Sequence, residues 1–320
     1  MMRLHEISAD AYVRDVLPLT APLWARGRDW TTYASQTLEL ARSGFGKRHY
    51  RTMALHDGGE AVASFKRYER TVRSGTRRLR ALGFGAVFTP EPLRGRGYAS
   101  AMIAMAMDVA KADGYELAFL YSDVRPHFYA ELGFVELPSR EILLRADALP
   151  SERLPVSVLT ERDWSGVRRC FDLCEHHRAA GFQRTPLYWE WLRVRLRHYA
   201  TVESSQPAYL VVRHGRGVGA YVLGERDVDR DTYELAEFGF ADAAAAQTIP
   251  ALLRAAAGDL RRIAGWLPPS GARELLPKGT VRRRRNAIFM VAPLSKAGTE
   301  ALHLLQAARE ADACWSTDHI

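Results

Sequence analysis

The chain has 320 residues, 47% of them hydrophobic and 26% charged, a length that exceeds one average domain and suits two. No apolar run approaches the ~20 residues that cross a bilayer, and the opening MMRLHEISADAY lacks a cationic start followed by an apolar stretch, so a cytoplasmic protein without a membrane partner is expected. The net charge of +8 comes almost wholly from arginine, scattered rather than gathered among stacking aromatics. The one run, Arg282 to Arg285, leads into the apolar segment NAIFMV, and nucleic acid is not expected as a partner.

In chain order, the first half predicts a strand at RLHEIS, a helix from Asp10, a helix from Asp29 to Arg42, and a hairpin whose tip is Asp57-Gly58-Gly59. A long strand, RRLRALGFGAVFT, then runs to Pro90. From Tyr98 to Asp113 an Ala- and Met-rich stretch lies between Gly97 and Gly114 without a breaker and predicts a helix. The strand YELAFLYS follows, then a short helix at His127 to Leu132 and a strand at Phe134 and Val135. Strands alternating with helices predict an α/β fold with mixed sheets.

The polar, proline-containing stretch LLRADALPSERLP, from Leu143 to Pro155, reads as a linker, giving one domain over 1–147 and a second over 148–320. The second repeats the order of the first: strand PVSVLT, helix from Glu161, helix from Thr185, hairpin AYLVVRHGRGVGAYVLG, strand TYELAEFGF and a long helix from Ala244 to Ala264. This order predicts an internal duplication.

The segment PEPLRGRGYAS carries the chemistry. Pro90 ends a strand, and Gly95 and Gly97 permit positive φ and leave no Cβ between backbone and ligand. Uncapped N–H groups and the positive end of the following helix suit a phosphate or pyrophosphate. No acidic residue occurs from Pro92 to Met107, whereas Arg94 and Arg96 lie in the loop. The spacing fits neither a Walker-type loop nor a dinucleotide fingerprint. A glycine-rich turn is also a common way simply to enter a helix.

Arg94-Gly95-Arg96-Gly97-Tyr98-Ala99 resembles the R-x-x-G-x-[GA] pyrophosphate loop of the GNAT acetyltransferases, and YSDVRPHFYAELGF, from Tyr121 to Phe134, resembles the family's FYxxxGF element. The resemblance covers about the first 140 residues. It implies a tandem GNAT fold, acetyl-CoA as acyl donor, and transfer to the primary amine of a small cationic molecule. It also implies that Arg94, Gly95, Arg96, Gly97, Tyr98, Ala99 and Ser100 hold the cofactor, with Ala86, Val87 and Phe88 beside the thioester and Ser122 either touching it or ending its strand. Tyr129 would be the general acid, or an aromatic packing residue. Many GNAT enzymes carry a glutamate on the strand before the loop, but Arg77 to Thr89 holds no carboxylate, which leaves Asp123, His127 and the chain end as candidate bases. CWSTDHI is similar to the ending of the enhanced-intracellular-survival acetyltransferases, which implies the carboxylate of Ile320 facing Tyr129. The sterol-carrier-like domain of those proteins has no counterpart after NAIFMV beyond the helix TEALHLLQAAREA, so their assembly is not inherited and homo-oligomerisation is left open. LYSDVRPHFY also resembles the fungal lysine N6-acetyltransferases. A silent acyl-CoA-binding module and a protein lysine or N-terminal acetyltransferase are the alternatives.

The second half offers FADAAAAQTIP where the first has its phosphate loop, with Asp242 in place of basic residues, so one cofactor site per chain is expected. Glu234 or Glu237 could bring negative charge to an acceptor cleft or serve the fold alone. Trp24 and Trp30 flank a turn that could line that cleft or pack in the core. Cys170 and Cys174, four apart near His176 and His177, fit a buried helix face, and no metal is expected.

Overall fold

A computed structural model of the chain describes residues 1–202, 206–215, 217–269, 271–307 and 312–320. The first part runs β1 (Arg3–Ile7), α1 (Ala9–Asp15), α2 (Leu17–Trp24), α3 (Trp30–Arg42), α4 (Gly44–His49), β2 (Tyr50–Asp57), β3 (Glu60–Ser74), β4 (Arg77–Phe88), α5 (Tyr98–Ala112), β5 (Leu117–Ser122), α6 (Pro126–Ala130) and β6 (Val135–Glu136). The helix starts follow local chemistry: Ser8, Asp29 and Ser43 each accept a first-turn N–H through a side-chain oxygen. Gly58 and Gly59, both at positive φ, turn β2 into β3.

The second part runs β7 (Arg140–Arg145), β8 (Val156–Val158), α7 (Trp164–His176), β9 (Ala180–Gln183), α8 (Pro186–Tyr199), β10 (Gln206–Pro207), β11 (Leu210–His214), β12 (Gly217–Asp227), β13 (Thr232–Phe240), α9 (Ala243–Ala246), α10 (Ile249–Ala257), β14 (Arg262–Trp266), β15 (Thr280–Arg283), β16 (Ile288–Pro293) and α11 (Lys296–Ala307). The single long helix expected from Ala244 to Ala264 does not form. Gly258, at φ +62, ends α10, and Arg262–Trp266 pairs parallel to β13 instead. An alanine-rich window favours helix, but a strand slot beside β13 wins over propensity. The turn of the β11–β12 hairpin falls partly on residue 216, outside the described residues.

Two mixed sheets result, β1-β2-β3-β4-β5-β16-β6 with β9 added on β3, and β15-β7-β14-β13-β12-β11-β8 with β10 added on β12. Each holds one parallel pair bridged by helix, β4–β5 through α5 and β13–β14 through α9 and α10. Against the boundary at 147 expected from the sequence, the strand flanking each parallel pair comes from the other side of it: β16 lies antiparallel to β5, and β7 lies antiparallel to β14. Leu143–Arg145, expected in a linker, thus belong to a strand of the second sheet, and NAIFMV completes the first. The exchange ties the two sheets together, and β9 adds a further tie through β3.

One face of the first sheet packs on α5 around Phe65, Leu82, Phe84, Met102 and Ile103. Its other face packs on β9, α11 and the chain end around Phe119, Phe182 and Phe289. Tyr50 and Tyr68 of the first sheet meet Trp191 of α8, with ring centroids 6.5 and 5.9 Å away. These aromatic contacts sit between the two units and fix their relative position.

Candidate active site

The register between β3 and β4 slips once. Lys66 opposes Gly85 and Ser64 opposes Phe88, so Ala86 and Val87 together face the single residue Phe65. This is a β-bulge, and Ala86 takes φ +46 at its head, a left-handed conformation costly for a residue with a Cβ. Pairing of β4 with β5 spans only Ala81↔Leu117 to Phe84↔Leu120, so the strands part where the bulge begins. The sequence-predicted Ala86, Val87 and Phe88 therefore line an opening between parallel strands, where ladder donors no longer serve β5.

Beyond the opening, Gly95 and Gly97 have φ +79 and +80. α5 starts at Tyr98 without a side-chain cap, so its first-turn N–H groups, those of Ala99 and Ser100 among them, are free for an anion. Arg94 and Arg96 are exposed beside it, with Arg94 Nε donating to the Thr89 carbonyl at 3.3 Å. The Tyr98 hydroxyl turns away and donates to Asp57 at 3.4 Å. This cradle of bare glycine backbone, unpaired N–H groups and two guanidinium groups fits a pyrophosphate. The corresponding entry into α9 is already filled, since the Asp242 carboxylate accepts the Ala245 N–H at 2.8 Å.

Ser122 ends β5 fully buried, and its hydroxyl donates to the Val124 carbonyl at 3.0 Å, so the side chain closes its own turn. α6 follows Arg125, held at φ +59, and carries Tyr129 against Phe128 and Phe134. Burial first, and the neighbouring Asp123 second, push the Tyr129 hydroxyl up to about 12, so it keeps its proton at neutral pH. Among the described residues that hydroxyl has no hydrogen-bond partner. His127 points outward to Glu131 at 3.1 Å.

The chain end reaches this place from the opposite face of β4. A methyl group built on Gly85 would lie 3.2 Å from the carboxyl carbon of Ile320, and one built on Gly83 would lie 2.6 Å from both Ile320 Cδ1 and Phe119 Cζ. Glycine inside a strand here marks close approach of another backbone. Gly83→Ala is expected to cost about 1–3 kcal/mol through overpacking, read as a lower urea midpoint; an unchanged midpoint would mean that the tail and Phe119 yield freely.

Three buried arginines hold the tail. Arg184 donates to Asp318 Oδ2 at 3.0 Å and to Glu237 at 2.7 Å, Arg70 donates to Asp318 at 3.0 Å, and Arg195 donates to the carbonyls of His319 and Thr317 at 2.5 and 3.2 Å. Glu237 is consumed in this lattice, with Tyr221 donating to it at 2.5 Å, and does not face a cleft. Glu234 does. It lines a cavity of about 620 Å³ between the sheets, whose walls also include Asp123, Glu225, Tyr199, Trp266 and His319. Glu225 and Glu234 lie directly opposite each other on β12 and β13, and neither has an ion-pair partner among the described residues. Like charges opposite one another cost stability unless a cation separates them.

The remaining candidates are structural. Cys170 and Cys174 point at the carbonyls of Val218 and Phe240, and no group of described residues could hold a metal ion. In the basic run, Arg282 and Arg283 pair with Glu141 and Glu136, and Arg284 is buried over the Trp266 ring at 3.5 Å. Trp24 packs edge-on against Phe88 at 6.5 Å, while Trp30 is exposed. No helix of the described residues is long and apolar enough to cross a membrane.

Residues 23–136 match a family model described as an acetyltransferase (GNAT) domain. Curated proteins give no significant match. Among solved structures, a GCN5-related N-acetyltransferase from Anabaena variabilis is 12% identical with a TM-score of 0.73, covering 93% of this chain and 74% of that one. Eis1 from Mycobacterium abscessus is 12% identical with a TM-score of 0.61, over 92% of this chain and 74% of that one. A tandem GNAT protein from the clavulanic acid biosynthesis pathway is 11% identical with a TM-score of 0.50, over 92% and 99%. Residues 23–136 thus match a GNAT acetyltransferase domain, and the chain as a whole shares the fold of GNAT proteins, a tandem GNAT protein among them.

Proposed function

We propose that the protein transfers an acetyl group from acetyl-CoA to a primary amine of a small cationic molecule, by direct attack at one site per chain. The observation that carries this reading is the opening at the β4 bulge, which the Ile320 carboxyl approaches at Gly85 while α6, bearing the protonated Tyr129, follows the carboxyl end of the neighbouring β5. Acetyl-CoA would supply a thioester acyl group and leave as the free thiol. Arg94 to Ser100 would hold its pyrophosphate, and a freed N–H of Ala86, Val87 or Phe88 would polarise the acyl carbonyl. Tyr129 donates the proton that the departing sulfur needs, and the Ile320 carboxylate accepts the one the amine loses. Catalysis is then the work of the segment 1–147 completed by the tail of 148–320. The unpaired Glu225 and Glu234 support a cationic acceptor.

The test follows thiol release over a panel of diamines, polyamines, aminoglycosides and amino acids, with native and Tyr129→Phe proteins. Amine-dependent release is expected, with Tyr129→Phe lowering kcat by about 10²-fold or more while acetyl-CoA affinity holds. Stoichiometric acetyl-CoA binding without thiol release from any amine would identify a silent binding module. Unchanged turnover in Tyr129→Phe would remove the tyrosine as acid.

A further inference from the structure

Of the residues that line the cavity between the sheets, Asp123 is the acidic one contributed by the segment before β7. It stands one residue past β5, at the carboxyl end of the parallel pair that opens at the bulge. Its Oδ1 accepts the N–H of Ala287 at 3.0 Å, and Ala287 is itself held at φ +49. That bond fixes the carboxylate while leaving Oδ2 without a protein partner among the described residues. The side chain stays open to solvent on the cavity side, and the wall behind it displaces enough water to raise the carboxyl above its ordinary range. Tyr129 is close enough for the carboxylate to help hold its hydroxyl in the protonated form.

Six arginines line the cavity, and each is engaged elsewhere: Arg226, Arg230 and Arg282 pair with Asp259, Asp227 and Glu141, and Arg26 lies over the Tyr199 ring. His319, on the tail, is pushed down to about 3, by burial first and then by Arg195 and Arg284, and is neutral at ordinary pH. Arg195 is spent on the carbonyls of Thr317 and His319. Arg284 lies over Trp266 with Asp312 at 3.6 Å. A carboxylate fixed by one oxygen, open at the other and bordering both the proton donor and the cavity is built to receive N–H donors carrying positive charge.

We infer that Asp123 seats the ammonium group of the acceptor, holding it in the cavity beside the opening; the ammonium sheds one proton to solvent, and the free amine then attacks and gives its second proton to the Ile320 carboxylate. The inference rests on the acetyl-transfer reading and adds a specificity residue to it: acceptors protonated at the reacting nitrogen are preferred over neutral nucleophiles of similar size.

Asp123→Asn keeps an oxygen for the Ala287 N–H and removes only the charge, so the fold is expected to hold, and unchanged thermal unfolding checks this. The expected result is a fall of about 10- to 100-fold in kcat/KM for the protonated amine, the range a hydrogen bond to a charged group supports. Acetyl-CoA affinity and turnover of a simple hydrazide, neutral at the assay pH, should stay within about twofold, and Asp123→Glu should recover part of the loss. Benzyltrimethylammonium, which cannot react, should bind the native protein in calorimetry and lose that binding in Asp123→Asn. Equal losses for charged and neutral nucleophiles, or undiminished binding of the quaternary cation, would overturn the seat. A native protein that binds the quaternary cation through Asp123 but releases no thiol with any amine would overturn the acetyl-transfer reading and leave the cation seat standing.

Discussion

Appending a short peptide after Ile320 is expected to lower amine-dependent thiol release by about 10²- to 10⁴-fold, the span that a positioned acid or base contributes, while acetyl-CoA binding and thermal stability change little. The reasoning starts from how the last residues are held. Trp315 packs on Phe238 with ring centroids 4.9 Å apart, and Ser316 donates to the Ala236 carbonyl at 3.0 Å. Asp318 is locked by Arg70 and Arg184, and Arg195 grips the carbonyls on either side of it. Ile320 is thereby fixed against Gly83 and Gly85, one residue from the bulge, and no described residue donates a hydrogen bond to its carboxylate. With that anchor intact, an added residue turns the terminal carboxylate into a peptide bond and removes its charge from this place. A C-terminal carboxamide at Ile320, made by ligation, removes the charge with almost no change in size and should show the same loss. A fully active extended protein would place the proton acceptor elsewhere and end this role for the terminus.

The phosphate cradle was legible because its requirements are local. Two glycines with positive φ, an uncapped helix start and the absence of acid all sit within RGRGYAS. The bulge was legible only as a consequence of family resemblance, since Ala86 carries no residue signal for a left-handed conformation and the slip depends on how β3 and β4 register. Gly83 and Gly85 were a signal that could have been read: two glycines in a strand interior call for another backbone nearby. The exchange of β7 and β16 left no mark, because an apolar strand fits either sheet equally well by pattern. Glu234 and Glu237 were indistinguishable in sequence. Three residues apart on β13, they are separated by a register slip, so they oppose Glu225 and Leu223, which are two apart on β12; position along the strand then decides that Glu234 meets the cavity and Glu237 meets Arg184. The second unit shows the converse case. Its failure to offer a phosphate site was plain in FADAAAAQTIP, and the structure supplies the reason, an aspartate carboxylate seated where a phosphate would lie.

The arginine at the centre of the tail lattice carries the second large expectation. Arg184 is fully buried and bridges Glu237 and Asp318, with Phe171 and Trp189 rings at 3.9 and 4.8 Å from its guanidinium carbon. Replacing it with Met fills much of the volume but strands Glu237 without a cation and leaves Asp318 to Arg70 alone, which is expected to cost about 3–5 kcal/mol at neutral pH. The pH dependence follows from the carboxyl of Asp318. Burial alone would raise it, but Arg184 and Arg70 outweigh burial and hold it below its ordinary value. A depressed carboxyl contributes stability that is fully present above the unfolded carboxyl range and is lost as pH falls through the folded value. In Arg184→Met the balance tips toward burial, so protonation relieves the variant where it weakens the native protein. The difference between them should therefore be largest near pH 7 and shrink as pH falls toward 4, measured by urea unfolding at several pH values. A loss below about 1 kcal/mol at pH 7, or one that does not vary with pH, would mean that the lattice is a surface-like pairing with little net weight.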